Sequence, residues 1–211
     1  MKSKQDLSIN RAIFFDFDGV FVDTGSINYE LSRKYVEGLS REEFDKWFTG
    51  NIHDRVKDVD KTKLFEGKTY NENYYNSLQK VSVIEGMEDL MKGIKSKAFP
   101  TFVITSAETY MVHDFFDAHG MLPYFDKILG SDINYSKVKK FEMIRDEYNI
   151  DLTKSLFITD TLGDLREAEY VNLPSIAVTW GYHNENTLRD GVNIGIVHTV
   201  EDLQNVIEEN I

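Results

Sequence analysis

Short apolar runs that alternate with helical periodicity constrain the fold of this chain more than any other feature. Five runs predict β-strands, at Ala12–Phe15, Thr101–Thr105, Lys127–Leu129, Ser155–Thr159 and Ser175–Thr179. Between the runs, apolar residues recur with the spacing of an amphipathic helix, as they do at Met87, Leu90, Met91 and Ile94. Repeated alternation of strand and helix predicts an α/β fold, in which helices cover both faces of a parallel sheet.

One segment, residues 24–83, interrupts this alternation. It contains no convincing strand, and its pattern predicts helices around Ile27–Val36, from Ser40 to Phe48 and around Asn71–Leu78. Ser40 and Glu43 have the spacing of a capping box, in which each side chain bonds the backbone of the other residue. We therefore expect an inserted helical unit at residues 24–83 and a core domain formed by residues 1–23 and 84–211.

The composition of the 211-residue chain excludes several classes of function. The net charge is −12 with dispersed acids, and no stripe of lysine and arginine predicts binding to nucleic acid or to an anionic membrane. The absence of cysteine excludes disulfides, thiol chemistry and cysteine-based metal sites. Residues 1–10 lack the apolar core of a signal peptide, and no apolar run approaches membrane-spanning length, so we expect a cytoplasmic protein.

Two carboxylates stand where the first predicted strand ends. The apolar run Ile13–Phe15 leads into Asp16, Asp18 and the turn residue Gly19. In open α/β sheets, ligands bind at the carboxyl ends of the strands. Because uncompensated charge is expensive to bury, two acids at such an end need a cation, a proton or a solvent-filled cleft. Taken alone the pair is a modest signal, since many solvated loops carry two acids.

Further polar residues stand at the later strand ends and at one helix start. They are Thr105 and Ser106 after the second strand, Ser136 and Lys137 at the helix start, and Asp160 and Asp164 after the fourth strand. Each has an ordinary explanation by itself, since hydroxyls and acids cap helices. A lysine at a helix N-terminus is unfavourably placed for the helix dipole, which favours a functional role for Lys137. Together at one sheet edge, these residues are improbable as coincidence.

These four elements, in this order, resemble the four motifs of the haloacid dehalogenase (HAD) superfamily. The matching segments are Asp16–Val20, Val103–Ser106, Ser136–Lys137 and Asp160–Asp164. The resemblance spans nearly the whole chain and implies a Rossmann-like core. The helical insertion is similar to the cap of the subfamily that includes phosphoglycolate phosphatases and β-phosphoglucomutases, and the segment Val178–Tyr182 also resembles such chains. These motifs are specific for the superfamily and not for the substrate.

The resemblance implies catalytic roles for four residues. Asp16 would attack phosphorus to give an acyl phosphate, and Asp18 would act first as general acid and then as general base. Thr105 would hydrogen-bond a phosphoryl oxygen. Lys137 would neutralise the nucleophile and the phosphate, since a carboxylate that attacks a phosphate dianion needs positive charge nearby.

The resemblance also implies Mg²⁺ as the cofactor, an ion that prefers oxygen ligands in octahedral geometry and usually retains waters. Asp16, the backbone carbonyl of Asp18 and Asp160 would hold the ion. Asp164 would be either a further ligand or a group that orients one.

Alternatives remain at several positions. Ser106 competes with Thr105 for the phosphate, but Thr105 directly ends the apolar strand. Close relatives often carry Lys-Pro-x-Pro where this chain has Lys137–Lys140, so the helix starts differently and Lys140 becomes an alternative. Lys140 is the weaker of the two, because Lys137 stands at the predicted helix start. In the inserted unit, the candidate substrate contacts are Arg33, His53, Arg55, Tyr70, Tyr74 and Tyr75, although such residues more often belong to the core or to solvated surface. Four histidines show no metal-ligand spacing and receive no role, namely His113, His119, His183 and His198.

The resemblance implies a Mg²⁺-dependent phosphatase that hydrolyses a small phosphorylated metabolite through an aspartyl-phosphate intermediate. Two alternatives of the same fold are a sugar-phosphate mutase, which requires a cap that excludes water, and a catalytically silent binding homologue, against which the intact motifs argue. A signalling receiver domain also surrounds a phosphorylated aspartate with acids, threonine and lysine, but in a different order and without an inserted cap. We expect the metabolite as partner, neither nucleic acid nor membrane, and a monomer or homodimer.

Overall fold

The computed structural model describes residues 10–49, 68–133 and 135–211, and its six strands form one parallel sheet. The strands are β1 (Ile13–Phe15), β2 (Thr101–Ile104), β3 (Lys127–Leu129), β4 (Leu156–Thr159), β5 (Ser175–Val178) and β6 (Gly195–Val197). Their order across the sheet, β3-β2-β1-β4-β5-β6, is that of a Rossmann-like fold. The predicted α/β fold class is confirmed.

Nine α-helices lie in the described residues. They are α1 (Gly25–Arg33), α2 (Arg41–Lys46), α3 (Lys68–Leu78), α4 (Met87–Ser96), α5 (Thr109–Ala118), α6 (Lys137–Tyr148), α7 (Leu162–Tyr170), α8 (Glu185–Leu188) and α9 (Val200–Asn210). Short 3₁₀ helices occur at Trp47–Thr49, Leu122–Tyr124 and Leu152–Lys154. No helix in this part of the chain is long and apolar enough to cross a membrane.

Both faces of the sheet are buried under other parts of the protein. Because successive strand residues point to opposite sides, each strand contributes side chains to both of the buried faces. In β1, Ile13 and Phe15 pack on one face with residues of α4, α5 and α9. Phe14 packs on the other face against Phe102 and Phe141, with ring centroids 5.3 and 5.5 Å away. All residues of β1, β2, β4 and β5 are buried. This is the burial expected of a parallel sheet between two helical layers.

Strand β1 lies at the centre of the sheet, and its register aligns the ends of both neighbours. Phe15, the last residue of β1, pairs with Val103 of β2 and with Ile158 of β4. One residue further, the Asp16 amide still donates to the Ile158 carbonyl at 2.9 Å. Residues that follow these three strands are therefore held at the same edge of the sheet.

The structure differs from the predicted elements at two points. Strand β6 (Gly195–Val197) is absent from the five predicted strands, because glycine, which is depleted in strands, interrupts the short apolar run at residues 194–197. Helix α6 buries Lys137 and Lys140, whereas the helical spacing of Val138, Phe141, Ile144 and Tyr148 in the sequence predicts an apolar face made of those four residues. Tyr148 is instead 38% exposed. Lysines are rarely buried without partners, so the two side chains mark a polar site under α6.

The described part of residues 24–83 contains helices and no strands. Helix α2 begins with the predicted capping box, in which the Ser40 hydroxyl accepts from the Glu43 amide and the Glu43 carboxylate accepts from the Ser40 amide. Tyr70 of α3 packs against Tyr35, which follows α1, and the centroids of the two rings are 5.9 Å apart. The division of the chain into a core domain and a cap stays a prediction.

Candidate active site

The carboxyl edge of the sheet brings together polar residues that follow three adjacent strands. Asp16, Thr105 and Asp160 come directly after β1, β2 and β4. These strands are neighbours in the sheet, where β1 lies between the other two. All three side chains are buried. Polar groups at this depth need partners, and neighbouring residues supply most of them.

Lys137 binds two of the buried carboxylates. Its Nζ lies 2.8 Å from Asp16 Oδ2 and 2.6 Å from Asp164 Oδ2. Asp164 Oδ2 also accepts from the Thr159 hydroxyl at 2.8 Å. Lys137 is the first residue of α6, after the N-cap Ser136. The two ion pairs explain why a lysine occupies the positive end of a helix dipole.

Burial and the ion pairs act on the pKa values of these groups in opposite directions. Burial raises the pKa of Asp16 well above its usual range, Lys137 opposes that shift, and the charge of Asp164 adds to it. Burial acts in the same sense on Asp164, but Lys137 and the hydrogen bonds outweigh it and lower the pKa. Burial alone would lower the pKa of Lys137, but the two carboxylates raise it. The cluster therefore keeps Lys137 charged and Asp164 ionised.

Two glycines and a backbone amide enclose the Asp160 carboxylate. A Cβ at Gly19 or at Gly181 would overlap with this carboxylate, and Gly19 also has a positive φ of 73°. The Tyr182 amide donates to Asp160 Oδ2 at 2.7 Å. Burial raises the pKa of Asp160 to about 8, although the Tyr182 amide opposes the shift. The other oxygen, Oδ1, is buried and has no hydrogen-bond partner among the described residues.

The Asp18 carboxylate contacts the helical segment that follows β1. Its Oδ1 accepts from the Thr24 hydroxyl at 2.5 Å and from the Tyr74 hydroxyl of α3. Burial raises the pKa of Asp18, and these two hydrogen bonds oppose the shift. The two acids of the first motif therefore have different surroundings, since Asp16 contacts an ammonium group and Asp18 contacts two hydroxyls.

A chain of uncharged hydrogen-bonding groups continues from Thr24. The Thr24 hydroxyl lies 3.3 Å from the Tyr182 hydroxyl, which accepts from the Asn28 side-chain amide. Asn28 Oδ1 in turn accepts from the Tyr70 hydroxyl at 3.3 Å. The described surroundings of Asp18 are thus rich in hydroxyl and amide groups that hydrogen-bond without carrying charge.

The candidate substrate contacts in the helical segment lie in different places. Tyr74 bonds Asp18 directly, and Tyr70 belongs to the hydrogen-bonded chain beside it. Tyr75 and Arg33 bond surface acids instead. Two further candidates, His53 and Arg55, lie outside the described residues. The structure therefore brings two of the six candidates toward the sheet edge.

The end of β2 carries a hydroxyl and is held by a second lysine. The Thr105 hydroxyl accepts from the Ala107 amide at 3.0 Å, so its own proton can point toward a ligand. Thr105 is buried, whereas Ser106 is exposed. Lys140 Nζ donates to the Thr105 carbonyl at 3.0 Å, and burial together with Lys137 lowers its pKa to about 8. The two lysines of α6 thus differ, since Lys137 contacts carboxylates and Lys140 contacts the strand end.

The sequence model of the haloacid dehalogenase-like hydrolases matches residues 13–178 of this chain. The match covers well over half of the chain and includes all four motif segments. The chain belongs to the haloacid dehalogenase-like hydrolase family. The predicted resemblance to this superfamily is therefore confirmed.

This HAD family member is similar to curated proteins over nearly its whole length. It is 19% identical to the pyrophosphatase PpaX of Oceanobacillus iheyensis, over 95% of this chain and 98% of that protein. It is 23% identical to a phosphoglycolate phosphatase of Aquifex aeolicus, over 84% and 88% of the two chains. A solved structure, described as a predicted phosphatase from Clostridium acetobutylicum, has a TM-score of 0.75 at 24% identity and covers 96% of this chain and 100% of its own. That structural likeness confirms the fold.

The loop that follows β5 contributes to this HAD site, although none of its residues was a predicted site residue. Gly181 and Tyr182 contact the Asp160 carboxylate, and His183 Nδ1 accepts from the Leu162 amide at 3.0 Å. The signal that identifies Asp160, a polar residue directly after an apolar strand, selects Thr179 here and not residues 181–183, which lie further along the loop. The spacing of metal ligands in the sequence assigns no role to His183. That spacing cannot reveal a histidine that hydrogen-bonds the backbone near the site, as His183 does.

The described residues contain no group of three or more carboxylate or imidazole side chains arranged to hold a metal ion. Mg²⁺ is usually bound by only one or two carboxylates, with waters and substrate phosphate as its other ligands. The unpartnered Oδ1 of Asp160 and the carboxylate of Asp16 suit that requirement, since the charges of these two groups interact. Metal binding by Asp16, Asp18, Asp160 and Asp164 stays a prediction.

Proposed function

We propose that the protein is a Mg²⁺-dependent phosphatase that hydrolyses a small phosphorylated metabolite through an aspartyl phosphate on Asp16. The observation that carries the proposal is the contact of Lys137 with both Asp16 and Asp164. A carboxylate that attacks a phosphate dianion needs positive charge beside it, and Lys137 provides that charge at the nucleophile. The family and the names of the two curated relatives support phosphoryl chemistry.

In the first step, an oxygen of Asp16 attacks phosphorus, and the bond between phosphorus and the leaving oxygen breaks. Asp18 transfers its proton to that oxygen, so the alcohol leaves without charge. Burial raises the pKa of both acids of the motif and so favours a protonated Asp18, whereas the Lys137 ammonium group in contact with Asp16 opposes that shift and favours the carboxylate of the nucleophile. Thr105 and Lys137 donate hydrogen bonds to phosphoryl oxygens and stabilise their charge.

In the second step, Asp18 takes a proton from the water that attacks phosphorus. The bond between phosphorus and Asp16 breaks, phosphate leaves, and Asp16 regains its carboxylate. Asp18 ends the cycle with a proton, ready for the next leaving group. Between the two steps, hydrogen bonds from Thr24 and Tyr74 stabilise the Asp18 carboxylate.

The metal of the proposed reaction would be held by Asp16, Asp160 and the backbone carbonyl of Asp18, with Asp164 as a further ligand or as the group that orients Lys137. Bound there, Mg²⁺ supplies positive charge that offsets the repulsion between Asp16 and the phosphate dianion. The unpartnered Oδ1 of Asp160 supports this assignment, because a buried carboxylate oxygen without a partner carries a large desolvation penalty.

We also propose that residues 24–83 form a cap over this edge of the sheet. Helix α3 reaches Asp18 through Tyr74, and the 3₁₀ helix after α2 reaches helix α7, where Arg166 Nη1 donates to the Thr49 carbonyl at 2.6 Å. A cap in this position excludes bulk water during the first step. Its described groups near Asp18 are uncharged donors and acceptors, which suit a leaving group with hydrogen-bonding oxygens.

Release of phosphate from a panel of phosphorylated metabolites, measured with and without Mg²⁺, tests the proposal. The panel includes phosphoglycolate and pyrophosphate, after the two curated relatives, together with hexose phosphates. We expect at least one compound to release phosphate in a Mg²⁺-dependent reaction. Isomerisation of a hexose phosphate without release would identify a mutase, and metabolite binding without turnover would identify a silent homologue. Either result contradicts the proposal.

A further inference from the structure

His183 lies buried between helix α2 and the start of helix α7. Its Nδ1 accepts from the Leu162 amide at 3.0 Å, and its Nε2 lies 2.9 Å from the Asp45 carbonyl. Because an amide N–H only donates, Nδ1 carries no proton, and the proton on Nε2 donates to the Asp45 carbonyl. One neutral imidazole therefore joins α2 to the first residue of α7.

The backbone around His183 also holds Asp160. The Tyr182 amide donates to Asp160 Oδ2 at 2.7 Å, and the His183 amide donates to the Asp160 carbonyl at 3.3 Å. Gly181 packs so closely against the carboxylate that no Cβ fits there. Residues 181–183 therefore position both the main chain and the side chain of Asp160.

Two of these residues, Tyr182 and His183, contact α2 and the 3₁₀ helix that follows it. The Tyr182 ring packs against Phe48 with centroids 4.5 Å apart, and it stacks on Phe44 with centroids 6.1 Å apart. His183 adds its hydrogen bond to Asp45. Helix α2 and Asp160 thus have this short loop as a common neighbour.

We propose that His183 is a positioning residue that couples the docking of helix α2 to the orientation of the Asp160 carboxylate. With α2 docked, the loop keeps the Tyr182 amide on Oδ2 and leaves Oδ1 available to a cation. The inference rests on the proposed function, in which Asp160 binds Mg²⁺. Since coupling between two equilibria is reciprocal, docking of α2 strengthens Mg²⁺ binding and bound Mg²⁺ strengthens docking.

Two substitutions separate the two hydrogen bonds of His183. His183→Gln keeps a donor near the position of Nε2, within reach of the Asp45 carbonyl, but lacks the acceptor at Nδ1. His183→Asn keeps an acceptor near the position of Nδ1, for the Leu162 amide, but is too short to reach Asp45. The readout is Mn²⁺ binding to the metal-free protein, followed by the electron paramagnetic resonance of the free ion and competed with Mg²⁺. Thermal unfolding verifies that each variant is folded.

We expect H183N to weaken metal binding about 3- to 10-fold, as the loss of one buried hydrogen bond would, and H183Q to bind within about twofold of the unchanged protein. His119→Ala is the matched control, because it also removes one bond from a histidine to a backbone carbonyl, that of Phe115 in α5, and not a contact of α2 or of residues 181–183. We expect H119A to bind metal normally. The proposal is overturned if H183Q binds as weakly as H183N, or if H119A loses as much affinity as H183N.

Asp160→Asn separates failure of this inference from failure of the proposed function. If D160N binds metal like the unchanged protein, Asp160 is not a ligand, and both the metal assignment and the inference fail. If D160N loses affinity and H183N does not, the inference alone fails. Should H183N not fold, Phe48→Ala removes a different contact between the 3₁₀ helix and Tyr182. The same loss of affinity is expected for F48A, and its absence overturns the proposal.

Discussion

The carboxyl edge of the sheet and the helices that face it supply the candidate site with different chemistry. The sheet edge and the adjoining helix starts carry three buried carboxylates and two buried ammonium groups, those of Asp16, Asp160, Asp164, Lys137 and Lys140. The facing segment surrounds Asp18 with hydroxyls and an amide, from Thr24, Asn28, Tyr70 and Tyr74. Charge is thus concentrated where the strands end, and uncharged hydrogen-bonding groups lie in the helices opposite.

The difference follows from how each region is held in place. Residues that follow parallel strands are fixed by the register of the sheet, so charged groups there keep short distances to one another. Buried ion pairs require that precision, because desolvation exceeds the attraction when the geometry is poor. Uncharged groups on a facing helix can move away without leaving an unpaired charge behind. Substitutions at the sheet edge should therefore have large effects, and those on the facing helices small ones.

Asp16→Asn is expected to have the largest effect. An amide is a poor nucleophile toward phosphorus, so acyl-phosphate formation and turnover should both fall by roughly 10⁴- to 10⁶-fold. The fold should persist, because Lys137 keeps its ion pair with Asp164. A rapid-quench measurement of the burst of aryl alcohol from an activated aryl phosphate tests this expectation. A burst of normal size in D16N would show that another residue accepts the phosphoryl group.

Asp18→Asn should have the next largest effect, and one that depends on the leaving group. General acid–base help is worth about 10²- to 10⁴-fold, so turnover of a substrate with a poor leaving group should fall by that factor. An activated aryl phosphate needs little protonation and should lose less in its phosphorylation step. The same burst measurement compares the two variants. Equal losses in D16N and D18N for both substrate types would mean that the two carboxylates act together as metal ligands.

Lys137→Met tests whether charge at the sheet edge is essential. Removing one partner of a buried ion pair costs about 3–5 kcal/mol, so the variant should unfold at lower urea concentration without Mg²⁺ at neutral pH. The rate constant kcat should fall about 10²- to 10³-fold, as it does when one transition-state donor is lost. Lys140→Met is the matched control on the same helix, since Lys140 donates to a backbone carbonyl. A larger loss of activity in K140M than in K137M would make Lys140 the phosphate-binding lysine.

The strand ends could be predicted from the sequence because a local signal combines with a general rule of sheets. Asp16, Thr105 and Asp160 each follow an apolar run, and parallel strands bring such residues to one edge. The start of α2 could be predicted equally well, since the capping box of Ser40 and Glu43 is local. In each case the informative residues are neighbours in the chain.

What escaped prediction depends on contacts between distant residues. The contact of Gly181 with the Asp160 carboxylate is a matter of space, which no local pattern describes. The bond of His183 to the Asp45 carbonyl joins residues 138 positions apart. Tyr74 was one of six candidates, and its selection depends on how α3 packs against the core. The periodicity of a sequence predicts which face of a helix is apolar. It does not predict which hydroxyl on that helix will hydrogen-bond a carboxylate elsewhere in the chain, as Tyr74 bonds Asp18.

Tyr74→Phe should have the smallest effect and tests the facing helices most directly. It removes one hydroxyl that donates to Asp18 and leaves the buried ring in place. Because Thr24 still donates to the same oxygen, kcat with a poor leaving group should fall by no more than about 10-fold, the effect of one hydrogen bond. The Mg²⁺ concentration needed for half-maximal activity should not change. Steady-state kinetics at several Mg²⁺ concentrations measure both quantities.

Tyr75→Phe is the control for this last comparison. It lies one residue further along α3 and loses a hydroxyl that bonds the exposed Asp114, away from the sheet edge, so its kinetics should match those of the unchanged protein. Equal losses in Y74F and Y75F would indicate that α3 has loosened as a whole. A loss in Y74F as large as that in D18N would mean that the Tyr74 hydroxyl takes part in proton transfer. The facing helices would then carry chemistry of their own, and the contrast with the charged sheet edge would not hold.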